Sequence, residues 1–318
     1  MQKNKTESVN PQAGVPEPLG SDCGDSNRIT REYLDSLLIE YRHIGSRKPD
    51  LKFELFGDCF QTPVMLGGMA AMVPGMHEGG MAELARGVKA AGGVFWSGFI
   101  GDDEFARAAA TGVRAIRIIK PLRDTKEILC RIRHDEECGA LAFAMDIDHG
   151  FDDNGEYYPA VPHAYGELGP KTEEDLRMFV QATRLPFIAK GVLSVYDSLK
   201  CVHAGVKGLL LSHHKGEYKY AVPPLMVLPE IRKAVGKDIK IFVDCGLVTG
   251  MDVFKALALG ADGVCVARPF MNPFRMEGAG GVEKKLRQMT LELAGVMAKT
   301  GSADLKNIDP SVIIHKSW

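Results

Sequence analysis

The stretch LPFIAKGVLSVYDSLKCVHAGVKGLLLSHHKG (185–216) decides the fold. Its first apolar run, PFIAKG, ends around Lys190; a helical stretch follows; a second run, GLLLSH, leads into Ser212, His213 and His214. Continuous rather than alternating apolar runs, joined through a helix, describe parallel strands covered on both faces. When such strands close into a barrel, side chains at their C-terminal ends converge on one mouth, so this spacing sets an amine beside an imidazole. The segment VDCGLVTGMDVFKALALGADGVCVARPF (243–270) repeats the order of strand, glycine-rich turn, helix and strand.

Further strand candidates extend the pattern to 63–68, 92–98, 113–120, 140–148, 186–191, 208–213, 239–246 and 263–268, most of them followed by a helical stretch. Eight units of about 25 residues predict a TIM (β/α)8 barrel. An open doubly wound sheet is the alternative, but the early G-x-G-x-x-G turn that it uses is absent. Ahead of the barrel, apolar spacing predicts a helix over 28–43. LKFELFGDCFQTP (51–63) predicts a hairpin, turning at Gly57-Asp58, that caps the barrel floor. Residues 1–27 carry almost no large apolar side chains and cannot offset ordering entropy, so they read as a tail, with 28–318 as one barrel domain. The connection 149–172 lacks a helical pattern and leaves a C-terminal strand end, which suits either a lid or a mobile surface loop.

A chain of 318 residues with 45% hydrophobic and 25% charged residues has the balance of a soluble globular protein. Its net charge of −2 gives no electrostatic reason to expect nucleic acid or an anionic membrane. No apolar run of about 18 residues is present, and MQKNKTESVNPQAG lacks the apolar core of a signal peptide, so a cytoplasmic protein with a small-molecule substrate is expected, as a homo-oligomer. The seven cysteines show no metal-ligand spacing and no disulfide framework.

The two quoted segments together resemble the C-terminal half of the FMN-dependent 2-hydroxy-acid dehydrogenase and oxidase family, the relatives of glycolate oxidase and lactate oxidase. The resemblance is strong over about 185–270, looser over 51–150, and fades in the first thirty residues and in 151–170. It implies a flavin oxidoreductase with FMN as cofactor. Two other readings stay open: a relative that binds FMN or another phosphorylated ligand without redox catalysis, and an FMN-requiring isomerase.

Several residues take roles through this resemblance. Lys190 matches the lysine that sets a positive charge beside flavin N1 and O2, where the reduced ring carries negative charge. The family's Ser-Asn-His-Gly-Gly-Arg stands here as Ser212-His213-His214-Lys215-Gly216-Glu217, so His214 falls on the catalytic base and Glu217 on the arginine that grips the substrate carboxylate. An anion there would repel a carboxylate by a few kcal/mol, which implies an altered substrate. Asp146 keeps the carboxylate that helps orient the base. The phosphate turn Asp-Gly-Gly-Ile-Arg-x-Gly appears as Asp244-Cys245-Gly246-Leu247-Val248-Thr249-Gly250, and Gly-Arg-Pro as Ala267-Arg268-Pro269. Arg268 can still grip a phosphate, Asp244 can reach ribityl hydroxyls, and losing the other arginine would cost about 1–3 kcal/mol. Gly67, Gly68 and Met69 lie under the flavin, with Ser97 and Lys120 at its pyrimidine edge. Met69, Met72, Met76 and Trp96 are expected to cluster near the same mouth, chiefly as packing. A metal on Asp146, Asp148 and His149 is not expected, because adjacent alternating positions face opposite ways.

Overall fold

The computed structural model describes residues 23–70, 79–158 and 166–316. Helix α1 spans Ser26–Ser36, followed by β1 (Leu37–Ile39), the hairpin strands β2 (Phe53–Leu55) and β3 (Asp58–Phe60), and the first barrel strand β4 (Val64–Met69). The remaining units run α2 (Gly80–Ala90), β5 (Phe95–Ser97), α3 (Asp102–Ala109), β6 (Ala115–Ile119), α4 (Thr125–Glu137), β7 (Ala142–Asp146), α5 (Glu173–Gln181) and β8 (Phe187–Val192). They continue α6 (Val195–Ala204), β9 (Gly208–Leu211), α7 (Pro224–Val235), β10 (Lys240–Val243), α8 (Gly250–Ala258), β11 (Gly263–Val266), α9 (Arg268–Lys299) and β12 (Ile313–His315). Strands β4 to β11 pair in parallel and close, β11 on β4, into the eight-stranded TIM barrel expected from the sequence.

Alternation along each strand divides the core in two. Phe143, Ala189, Leu209 and Val243 face the surrounding helices. Met65, Trp96, Ile116, Ile118, Ala144, Ile188, Leu210 and Phe242 fill the barrel. The hairpin residues Phe53, Leu55 and Phe60 join that inner cluster and close it from below, the floor predicted for them. Trp96 therefore lies inside the barrel, its indole donating to Met65 Sδ at 3.3 Å, while Met69 packs in the outer layer. The expected Met/Trp cluster at the mouth is not formed by these two, because their strand positions face opposite ways; Met72 and Met76 lie outside the described residues.

The N-terminal helix is shorter than its periodicity predicts. It starts on the Asp25 cap and ends at Ser36, after which Leu37–Ile39 pairs antiparallel with Ile313–His315. A partner more than 270 positions away outweighs local helix propensity, and no periodicity in the sequence announces it. The hairpin turns one residue earlier than predicted, on Phe56 and Gly57, both with positive φ (48° and 93°) as a two-residue type I′ turn requires, and Asp58 pairs with Leu55. No helix among the described residues is long and apolar enough to cross a membrane.

Candidate active site

Five inward-facing core residues are followed, two positions on, by a polar side chain at the rim: Ile118 by Lys120, Ala144 by Asp146, Ile188 by Lys190, Leu210 by Ser212, and Phe242 by Asp244. Strand alternation alone thus collects five of the predicted residues on one mouth. Asp146, fully buried, receives Lys190 Nζ at 2.6 Å on Oδ1, as an ion pair too oblique for a hydrogen bond, and Lys120 Nζ at 2.7 Å on Oδ2. Burial alone would raise the Asp146 pKa, but the two ammoniums hold it well below the usual carboxylate range. Burial also disfavours the Lys190 charge, yet Asp146, Asp148 and Asp244 outweigh it and push its pKa up, so the amine stays cationic.

His214 follows Ser212 into a tight turn, with φ values of 51° at His214 and 64° at Lys215, and its backbone N–H donates to Ser212 Oγ at 3.0 Å. Its Nδ1 lies 3.1 Å from Asp148 Oδ2 and 3.8 Å from Asp146 Oδ1. Asp148, not Asp146, is therefore the nearer carboxylate to the expected base. Asp148 also receives His149 Nδ1 at 3.0 Å, and the two imidazoles meet edge to face, 4.1 Å between centroids. Nδ1 also lies 3.0 Å from the Lys190 ammonium, so two groups of opposite hydrogen-bonding sense meet at this atom: Asp148, which only accepts, and Lys190, which only donates. No partner approaches Nε2 among the described residues, and the ring stays partly exposed. Tyr218 fixes this turn by donating to the Asp148 backbone carbonyl.

Glu217, in place of the expected arginine, caps the cluster. Its carboxylate meets His149 Nε2 at 3.4 Å and accepts from Tyr158. The His149 hydrogen bond, with that of Tyr158, outweighs burial and lowers the Glu217 pKa to about 2. Burial would lower the His149 pKa, but Asp148 and Glu217 together raise it to about 9. The Glu217 hydrogen bond and then burial push Tyr158 up to about 12. Asp148, His149, Tyr158 and Tyr218 were not legible as parts of one acid/base cluster; the run Asp146-x-Asp148-His149 at a strand end was the only hint.

Asp146, Asp148, His149 and His214 have ligand atoms within 4.8 Å of one another. The expectation that alternation would separate the first three does not hold, because β7 ends at Asp146 and the chain turns there. Both lysines already occupy the Asp146 carboxylate, and their charge opposes a cation at that end.

The second part of the mouth lies across from this cluster. Cys245 and Gly246 adopt positive φ (68° and 75°), and Cys245 Sγ donates to Asp244 Oδ1 at 2.9 Å. Helix α9 begins at Arg268 behind the Ala267 cap, which has no side chain to bond the first N–H groups. Such an open helix start next to an arginine suits a phosphate. Gly67 lies against the Val266 backbone, whereas Gly68 is exposed at the mouth, where a side chain would fill the space 2.4 Å from Ile118 Cδ1. A bare backbone there lets a flat ring approach. Ser97 Oγ is buried with no partner, an unmet polar group at the end of β5, although strand alternation sets it on the side of Phe95 rather than Trp96. The site thus fits FMN: an exposed glycine floor, a buried cation at Lys190, and an uncapped helix with Arg268 for the phosphate.

An eight-stranded barrel with an amine, an imidazole and a phosphate cradle at its C-terminal mouth is the layout of a flavin oxidoreductase. The family model for FMN-dependent dehydrogenase matches residues 19–159 and 163–315, and the chain belongs to that family. It is similar to glycolate oxidase 3 of Arabidopsis thaliana (28% identical over 299 residues, 83% of this chain and 81% of the relative). It is similar also to an L-lactate oxidase of Lentilactobacillus hilgardii (28% over 299 residues, 84% and 80%). A solved mandelate oxidase variant with a monooxide FMN adduct superposes with a TM-score of 0.82 at 28% identity, covering 93% of this chain and 92% of that one. The protein is an FMN-dependent oxidoreductase of the 2-hydroxy-acid oxidase family.

Proposed function

We propose that this enzyme oxidises a hydroxyl-bearing small molecule that presents no free carboxylate to the pocket. The observation that carries the reading is charge balance: Lys120, Lys190 and His149 at the mouth face Asp146, Asp148 and Glu217, so the cluster holds no surplus positive charge. Recognition of a carboxylate uses an unpaired cation, best a guanidinium fork. Lys215, the cation next to His214, is solvent-exposed and is not counted with the buried group.

In this reading His214 takes the substrate hydroxyl proton at Nε2 as the carbon loses hydride and the carbonyl forms. Asp148, beside Nδ1, orients the imidazole, favours a basic Nε2 against the Lys190 ammonium on the same atom, and stabilises the imidazolium that results. Lys190, kept cationic by Asp146, stabilises negative charge arising beside it. Gly68, Asp244, Gly246, Ala267, Arg268, Lys120 and Ser212 line the mouth that would hold FMN, which supplies the two-electron acceptor. Tyr158 and Glu217 cover the side on which a substrate substituent would sit.

The test is turnover of lactate, glycolate and mandelate by the FMN-loaded wild type and by Glu217→Arg. Little or no turnover by the wild type and a measurable gain in the variant are expected. Efficient wild-type oxidation of any of the three acids would overturn the reading.

A further inference from the structure

The inner face of helix α1 lies on the segments that follow β9, β10 and β11, and the helix also touches α7 and α8. Ser26 Oγ accepts from Ala221 N at 2.9 Å and donates to the Tyr218 carbonyl, and Thr30 Oγ1 meets His213 Nε2 at 2.8 Å. A Cβ on Gly246 would lie 2.9 Å from Thr30 Cγ2 and 3.1 Å from Leu34 Cδ1, so the helix sits directly on the Cys245-Gly246 turn. Two further side chains of this helix reach the start of α9, the Gly246 carbonyl and the first turn of α8. Asn27 accepts from Arg268 Nη2 on Oδ1 at 3.0 Å while its Nδ2 donates to the Lys215 carbonyl at 2.8 Å, which fixes the amide orientation. Arg31 donates to the Gly246 carbonyl at 3.0 Å and to both oxygens of Asp252 at 3.0 and 3.2 Å.

Asp244 opens the turn, Val248 offers no charge, and Asp252 lies in the first turn of α8. Asp252 is buried and caps α8 through Val248 N, Thr249 N and Thr249 Oγ1, so that helix start is closed to an outside anion. Arg31 bridges this buried carboxylate and the Gly246 carbonyl, with Asp35 as its exposed partner, and so ties α1 to the turn.

We propose that α1 forms part of the FMN phosphate site, Asn27 presenting the Arg268 guanidinium to the phosphate and Arg31 holding the turn in place through the Gly246 carbonyl and Asp252. The proposal rests on FMN as cofactor and is independent of the substrate reading. Removing the Asn27 amide frees Arg268 to other rotamers and lowers phosphate affinity; removing the Arg31 guanidinium releases the Gly246 carbonyl and leaves Asp252 without its cation, which loosens the turn.

Riboflavin, which has the same ring and no phosphate, separates this role from packing. Apoprotein of the wild type, Asn27→Ala, Asn27→Asp, Arg31→Met and, as an outward-facing control on the same helix, Glu32→Ala is titrated with FMN and with riboflavin by flavin fluorescence. Asn27→Ala and Arg31→Met are expected to weaken FMN by about tenfold. Asn27→Asp weakens it further by setting a carboxylate beside the phosphate. Riboflavin binding stays within about twofold in all of them, and Glu32→Ala binds both ligands as the wild type does. Equal loss of FMN and riboflavin affinity, or FMN affinity unchanged in both Asn27 variants, would overturn the proposal. Should Arg31→Met not fold, the two Asn27 variants decide. A wild type that binds neither flavin would overturn the cofactor assignment and the proposal together.

Discussion

Replacing Glu217 by Gln removes one of the two carboxylates that hold His149 while keeping the side chain's shape and its bond to Tyr158. In the wild type His149 titrates at about 9 against an ordinary value of 6.5, with Asp148 at 3.0 Å and Glu217 at 3.4 Å as its partners. Asp148 is nearer and remains, so the variant's His149 midpoint should fall by roughly one pH unit, or about 1.4 kcal/mol. The raised His149 value stabilises the fold fully below 6.5 and loses that contribution as pH rises through 9. The depressed Glu217 value, about 2 against 4.5, contributes above 4.5 and is lost on acidification through about 2. Both contributions coexist between the two ordinary values, so the variant's loss of stability is largest near pH 5.5 and fades above pH 9, about 1 kcal/mol at most given the partial exposure of Glu217. Urea unfolding of both proteins across pH 5–10, with imidazole titration by NMR, measures each quantity. A loss independent of pH, or a wild-type His149 that titrates near 6.5, would refute the ion-pair geometry.

Lys190→Met should fold, since Lys120 still pairs with Asp146, and should lower the reduction potential of bound FMN by tens of millivolts, about 30 mV for each 1.4 kcal/mol of lost stabilisation. An unchanged potential in a flavin-loaded variant would show that the amine does not face the ring. Asp148→Asn keeps the shape of the turn but leaves both imidazoles without their shared carboxylate, so the His149 titration midpoint should drop and turnover should fall by up to about a hundredfold. A variant with the wild-type pH profile would return the orienting role to Asp146.

All eight barrel strands were legible because a strand buried on both faces requires a continuous apolar run, and each such run is separated from the next by turn residues or a helix. The same regularity made Lys190, Asp146 and Ser212 readable as rim residues, since their positions follow from counting along a strand. The acid/base cluster was less legible, because Asp148, His149, Tyr158 and Glu217 lie beyond strand ends, where alternation no longer assigns a face. Motif position named Asp146 as the partner of His214, but two ammoniums claim that carboxylate and Asp148 lies nearer to the imidazole. The contact of α1 with the phosphate turn left no trace in local pattern, because Asn27 and Arg268 are brought together by the closure of the whole barrel.

The central claim, an FMN site whose mouth is balanced against a carboxylate, is tested most directly by anaerobic titration of the FMN-loaded wild type with mandelate and with mandelamide. The two share the α-hydroxyl and the ring, the amide replacing the carboxylate's charge by a neutral group with N–H donors for Glu217, and loss of the flavin's visible absorption reports reduction without turnover. Reduction by the amide in preference to the acid is the result the account requires. Rapid reduction by mandelate, with the amide inert, would contradict it.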